Sequence, residues 1–131
     1  MVGGIRRLAP TGGGRAALVL VATGWPDGDV EVVLLSPDVE FGGSQDILLD
    51  RGDTGLVYAL IAETDVFGYV DPARLGRELA RVDVATISAA HALRYGEVAD
   101  RPAAGPPVWS RADPRWVWKL AELERLVEAI G

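Results

Sequence analysis

The stretch Arg15-Ala16-Ala17-Leu18-Val19-Leu20-Val21-Ala22 decides the class of fold. It is a continuous apolar run led in by one arginine, with β-branched residues and a length that suits a strand buried on both faces. Downstream, Trp25-Pro26-Asp27-Gly28-Asp29 reads as a turn, because proline presets φ and glycine permits positive φ. Val30 to Leu35 is then a second strand, and the two are expected to form a hairpin. Upstream, the glycine-rich segment 1–15 reads as a short strand or arm followed by a loop. Arg6 and Arg7 precede the apolar run but are set off from it by three glycines, so a buried strand is a better reading than a secretory leader.

Further along, a short strand is expected around Ile47-Leu48-Leu49, a turn over residues 51–55, and an extended stretch from Leu56 to Val70. Gly68 inside that stretch predicts a bulge or bend. Asp71-Pro72 opens a helical turn, with aspartate placed to cap and proline at the first position. Leu79 to Val82 returns as a strand. Asp83 caps a helix over 84–95, with Val84, Ile87, His91 and Leu93 or Arg94 near one face, and Gly96 stops it. Residues 100–112 hold three prolines and read as a linker or extended arm. Asp113 and Pro114 then start a last helix, whose Trp116, Leu120, Leu123, Val127 and Ile130 recur at spacings of 4, 3, 4 and 3. Trp109 and Trp118 lie off that stripe.

At 131 residues one folded body is expected, with a barrel domain over 1–99, the linker over 100–112 and the helix over 113–131. The chain has no cysteine, which excludes disulfides and thiolate metal sites and suits a reducing, cytoplasmic setting. No run approaches the ~20 apolar residues of a membrane span. A net charge of −6 argues against a dedicated duplex-DNA binder. Residues 1–26, however, hold Arg6, Arg7 and Arg15 and no acid, a basic edge able to meet a phosphate backbone.

Few residues offer chemistry. Gly12-Gly13-Gly14 lacks the lysine and following helix of a phosphate loop and reads as a flexible turn. His91 is the single histidine and is expected to be structural; no metal and no cofactor are expected. The acid pairs Asp27/Asp29, Asp50/Asp53 and Glu63/Asp65 are assigned to turns and strand ends, where aspartate bonds its own backbone. The stripe on the last helix either closes the core or docks on a partner or second copy. The docking reading is favoured, with Trp116, Trp118, Leu120, Leu123 and Val127 as contact residues, so that a chain ending at Asp100 should remain folded.

The order of these segments has a familiar look. Arg15 leads into the buried strand; Val32-Val33-Leu34-Leu35-Ser36-Pro37 ends at a proline; Tyr69-Val70-Asp71-Pro72-Ala73-Arg74-Leu75 follows, and Leu79-Ala80-Arg81-Val82-Asp83 enters a helix. Over residues 5–95 this resembles the PemK/MazF toxins. The resemblance implies an α+β fold, mainly β, with an SH3-like barrel plus the C-terminal helix. It also implies a metal-independent endoribonuclease that cuts single-stranded RNA as a homodimer and is blocked by an antitoxin protein. Arg15 matches the family's arginine before the first buried strand. The family's threonine, just after the strand-ending proline, is replaced by Asp38, and Ser36 is the nearest hydroxyl. Arg15 and Ser36 are therefore the expected catalytic pair, and Arg6 and Arg7 the expected RNA contacts. The alternative is a non-catalytic protein-binding module on the same fold, acting through its Trp-rich helix.

Overall fold

The computed structural model describes residues 1–24 and 28–131. Most of the turn expected at residues 25–29 lies outside them. Six strands form one antiparallel sheet: β1 (Gly4–Leu8), β2 (Ala17–Thr23), β3 (Val30–Ser36), β4 (Asp46–Leu49), β5 (Leu60–Val70) and β6 (Ala80–Arg81). Their spatial order is β4-β5-β3-β2-β1-β6, and the sheet curls into a half-barrel. The helices are a single turn α1 (Arg51–Thr54), α2 (Val84–Arg94) and α3 (Pro114–Ile130). No helix among the described residues is long and apolar enough to cross a membrane.

The run that fixes the class becomes β2, and its alternation feeds two cores. Leu20 and Ala22 face α2, together with Ile5, Val33, Leu35, Ile47, Leu49 and Ile87. Val19 and Val21 face the other side, with Val32, Leu34 and Val66. An uninterrupted apolar strand is what a sheet covered on both faces requires. α2 covers one face and α3 the other, so the last helix forms a layer of the body.

Local signals set the helix ends. Asp83 accepts from the Thr86 amide at 2.8 Å, and Asp113 accepts from the Arg115 amide at 3.0 Å with Pro114 at the first turn. Asp50 and Asp53 form a reciprocal capping box around α1, which turns the expected bend into one helical turn. On α2 the inward residues are Thr86, Ile87, Ala89 and Ala90, while Val84 at the first turn is exposed. The expected face was therefore displaced toward the small residues, which let the helix lie close to the sheet.

β5 bends where Val33 pairs with Phe67 but Leu34 pairs with Glu63, leaving Thr64 to Val66 outside the β3 ladder. Gly68 lies beyond that bend, opposite Val32. Its missing side chain makes room for Ile130 of α3, whose terminal carbon would collide with any Cβ there. The proline-rich segment is fastened to the body. The Ala104 amide donates to Asp46 O at 2.7 Å, Arg101 pairs with Asp53 at 2.6 Å, and Arg115 donates to the Gly42 and Pro106 carbonyls at 3.1 and 2.6 Å.

α3 does not bury the stripe read from its sequence. Glu122, Leu126 and Ala129 are buried and Ile130 packs beside them, whereas Trp116, Leu120, Leu123 and Val127 are 36%, 50%, 39% and 69% exposed. The inner face also carries Lys119, which donates to Asp46 at 2.9 Å, Glu63 at 3.1 Å and Asp65 at 3.2 Å. Two of the helix's inward positions are thus charged, and an apolar stripe search passes over them. The pair Glu63/Asp65 lies inside β5 and grips a lysine 54 or more residues away, so it is no strand-end turn.

Candidate functional site

Strand register brings the two expected catalytic residues to one end of the sheet. Leu18 of β2 stands opposite Leu35 of β3, so the start of β2 and the end of β3 are neighbours. Arg15 precedes the first of these ends and is exposed; Ser36 finishes the second and is buried. The Ser36 hydroxyl oxygen accepts from the Asp38 amide at 3.1 Å, which ties it to the turn that follows Pro37.

Arg15 rims a depression of about 310 Å³ that it shares with Pro10, Ala121, Glu124, Arg125 and Glu128. Arg125 links this depression to the other strand end, because its guanidinium donates to the Leu35 carbonyl at 3.3 Å. It is also paired with Glu122 at 3.0 Å. Two guanidinium groups therefore flank the strand ends, one exposed and one held by α3. Sequence reasoning missed Arg125, because its place depends on how α3 crosses the sheet. Chemically, the arrangement offers cationic donors to an anion; the Ser36 hydroxyl is buried and does not line the depression.

Arg6 and Arg7 do not join this group. They are adjacent in β1, opposite Val19 and Leu18, and strand alternation sends them to opposite faces. Arg6 donates to the Gly76 carbonyl at 3.2 Å, and Arg7 is exposed. His91 faces the sheet, its Nε2 3.3 Å from the Ala22 carbonyl oxygen. Among the described residues no group of His, Cys, Asp and Glu is arranged to hold a metal ion.

The expected partner contacts divide. Trp118 stacks on Phe41 with ring centroids 5.2 Å apart and is half-buried. Trp116, Leu120, Leu123 and Val127 remain on the outside. Trp109, Trp116, Phe41, Arg115 and Lys119 line a second cavity of about 270 Å³ beside the N-terminal half of α3.

Under α3 lies the most perturbed group. Burial, and then the neighbouring Glu122 carboxylate, push the Glu63 carboxyl up to about 9, against the pull of Lys119. Glu63 thus holds its proton at neutral pH. Burial also raises Asp46, opposed by Lys119. Neither carboxyl borders the Arg15 depression, while Asp46 lines the second cavity.

No family model matches this chain, and no curated protein matches it. Among solved structures it is similar to the Mycobacterium tuberculosis toxin MazF-mt6, with a TM-score of 0.56 and 16% identity. The match covers 72% of this chain and 98% of that one. The fold is of the MazF/PemK type, an antiparallel half-barrel with helices, in agreement with the class expected from the sequence.

Proposed function

We propose that this chain is a MazF/PemK-like toxin, an endoribonuclease that cuts single-stranded RNA without a metal ion. The observation that carries the reading is the meeting of Arg15 with the Ser36 end of β3 beside one open depression, on a fold of the MazF type. In such a reaction the ribose 2′-hydroxyl attacks the adjacent phosphorus and the 5′-oxygen leaves. Charge accumulates on the phosphoryl oxygens, and fixed cations aimed at them lower the barrier. Exposed Arg15 supplies that charge, with Arg125 behind it. Ser36 accepts from the Asp38 amide. Its burial fits a supporting role, with the turn at Pro37 shaped around it. The chain is read as a cytoplasmic homodimer, held inactive by a cognate antitoxin protein.

Purified protein is expected to cleave single-stranded RNA in EDTA. Arg15→Ala should slow cleavage by about 10²-fold or more, the ordinary cost of a lost transition-state donor. Unchanged cleavage in that variant would take Arg15 out of the mechanism. The second reading, a non-catalytic binding module, is favoured by the exposed stripe Trp116, Leu120, Leu123 and Val127. Absence of cleavage on every RNA tried would select it.

A further inference from the structure

We infer that α3 supplies the general base of the proposed cleavage, a carboxylate of the pair Glu124 and Glu128; this rests on the nuclease reading above and deepens it.

Cutting RNA at its own 2′-hydroxyl needs a group that takes up the hydroxyl's proton as its oxygen closes on phosphorus. Neither expected catalytic residue is suited to that task. Arginine carries donors and no acceptor, and Ser36 is buried and outside the depression. His91 belongs to α2, which packs on the opposite face of the sheet from α3. The polar side chains that line the depression are two guanidinium groups, Arg15 and Arg125, and two carboxylates, Glu124 and Glu128. The carboxylates are the ones able to accept a proton.

Helix geometry brings them there together. Ala121, Glu124, Arg125 and Glu128 stand at i, i+3, i+4 and i+7, on a single face of α3. It is a third face, apart from Leu126 and Ala129 on the sheet and from the exposed Trp116 stripe. Two contacts turn it toward the strand ends. Lys119 is fixed on Asp46, Glu63 and Asp65, and Arg125 donates to the Leu35 carbonyl at 3.3 Å. The charged groups beside the pair are Arg15 from the loop before β2 and, from α3 itself, Arg125 with its partner Glu122 at 3.0 Å. Glu122 is the carboxylate that occupies Arg125. Glu124, Glu128 and Arg15 are exposed, and among the described residues no ion pair engages them. An untied carboxylate beside an untied guanidinium is a proton acceptor next to a phosphate ligand.

In the step itself one carboxylate oxygen takes the 2′-proton, the 2′-oxygen bonds to phosphorus, and the bond from phosphorus to the 5′-oxygen breaks. Arg15 meets the charge on the phosphoryl oxygens. The leaving oxygen takes a proton from water, and the carboxylic acid returns its own to solvent. The products are a 2′,3′-cyclic phosphate and a 5′-hydroxyl.

The test is kcat and KM in EDTA, across pH, on a single-stranded RNA that the wild type cuts. Glu124→Gln with Glu128→Gln is expected to lower kcat by roughly 10²–10⁴-fold. KM should stay level or fall, since glutamine keeps the shape and removes a charge that repels phosphate. The wild-type rate should drop on the acid side as the carboxylate gains its proton, and the double variant should lose that limb. Glu124→Asp and Glu128→Asp should keep it, and the single glutamine variants show which carboxylate acts. Both positions are exposed, so the variants should melt like wild type. A double variant that cuts as fast or faster overturns the inference and makes the two glutamates a screen against RNA. So does a slower variant that retains the acid limb, or a wild type without one. The nuclease reading survives each of these results; a wild type that cuts no RNA removes that reading, and the base with it.

Discussion

A chain ending at Asp100 is expected to unfold. α3 supplies Leu126, Ala129 and Ile130 to the core shared with Val19, Val21, Val32, Leu34, Val66 and Val70. Without the helix, that face of the sheet meets water. Side chains of this size contribute roughly 1.5–3 kcal/mol each when fully buried. Re-exposing even half a dozen in part approaches the ~5–15 kcal/mol that holds a domain together. The truncation also strands Arg74, which donates to the Ala129 and Ile130 carbonyls, both at 2.7 Å, and so closes the end of α3. Circular dichroism and a one-dimensional proton spectrum of residues 1–100 would decide. A dispersed spectrum with a cooperative melt would show that the barrel stands alone, as the sequence reading of a linker and separate helix expects.

Replacing Lys119 by methionine should cost about 3–5 kcal/mol at neutral pH, the usual consequence of removing one partner from a buried ion cluster. Lys119 holds Asp46 and Glu63, both buried, and the more exposed Asp65. The loss should depend on pH in a definite direction. The Glu63 carboxyl titrates at about 9 in the folded chain, against 4.5 as the ordinary value. Its folded-state pKa is raised, so its contribution is complete below about pH 4.5 and drains away as pH climbs toward 9, by up to ~1.4 kcal/mol per pH unit. Asp46, also raised, acts in the same sense. Without Lys119 both carboxyls rise further. The variant's deficit against wild type should therefore be smallest at acid pH, where the carboxyls are protonated, and grow as pH rises. Glu63→Gln, which mimics the protonated acid, should flatten the wild-type slope. Urea titrations at three pH values measure all of this; a Lys119→Met loss equal at pH 4 and pH 8 would rule the cluster out as its cause.

What the sequence disclosed depended on the range of the interaction. β2 was legible because seven apolar residues in a row suit few other roles. The caps at Asp83 and Asp113 were legible because each bonds an amide two or three residues away. The meeting of Arg15 with the end of β3 was reached through resemblance; its geometric basis is the Leu18–Leu35 register, which no local pattern encodes. Arg125 was invisible for the same reason, its carbonyl partner lying 90 residues earlier. The inner face of α3 was misread because Lys119 and Glu122 look like solvent residues. Only the carboxyls of β4 and β5, brought beneath them by folding, make them core.

Those buried charges have a consequence for the azimuth of the helix. α3 has two greasy sides about a quarter-turn apart, and the one turned outward is the larger. Hydrophobicity alone would let the cylinder roll until Trp116 and Leu120 faced the sheet. Lys119 works as a key in a keyway: only one angle brings its ammonium group over Asp46, Glu63 and Asp65. A Lys119→Leu helix, unkeyed, is expected to roll, carrying the Trp116 indole from solvent into the interior. A blue shift in its emission would report the roll, and an unchanged spectrum in a folded variant would show that packing alone fixes the angle.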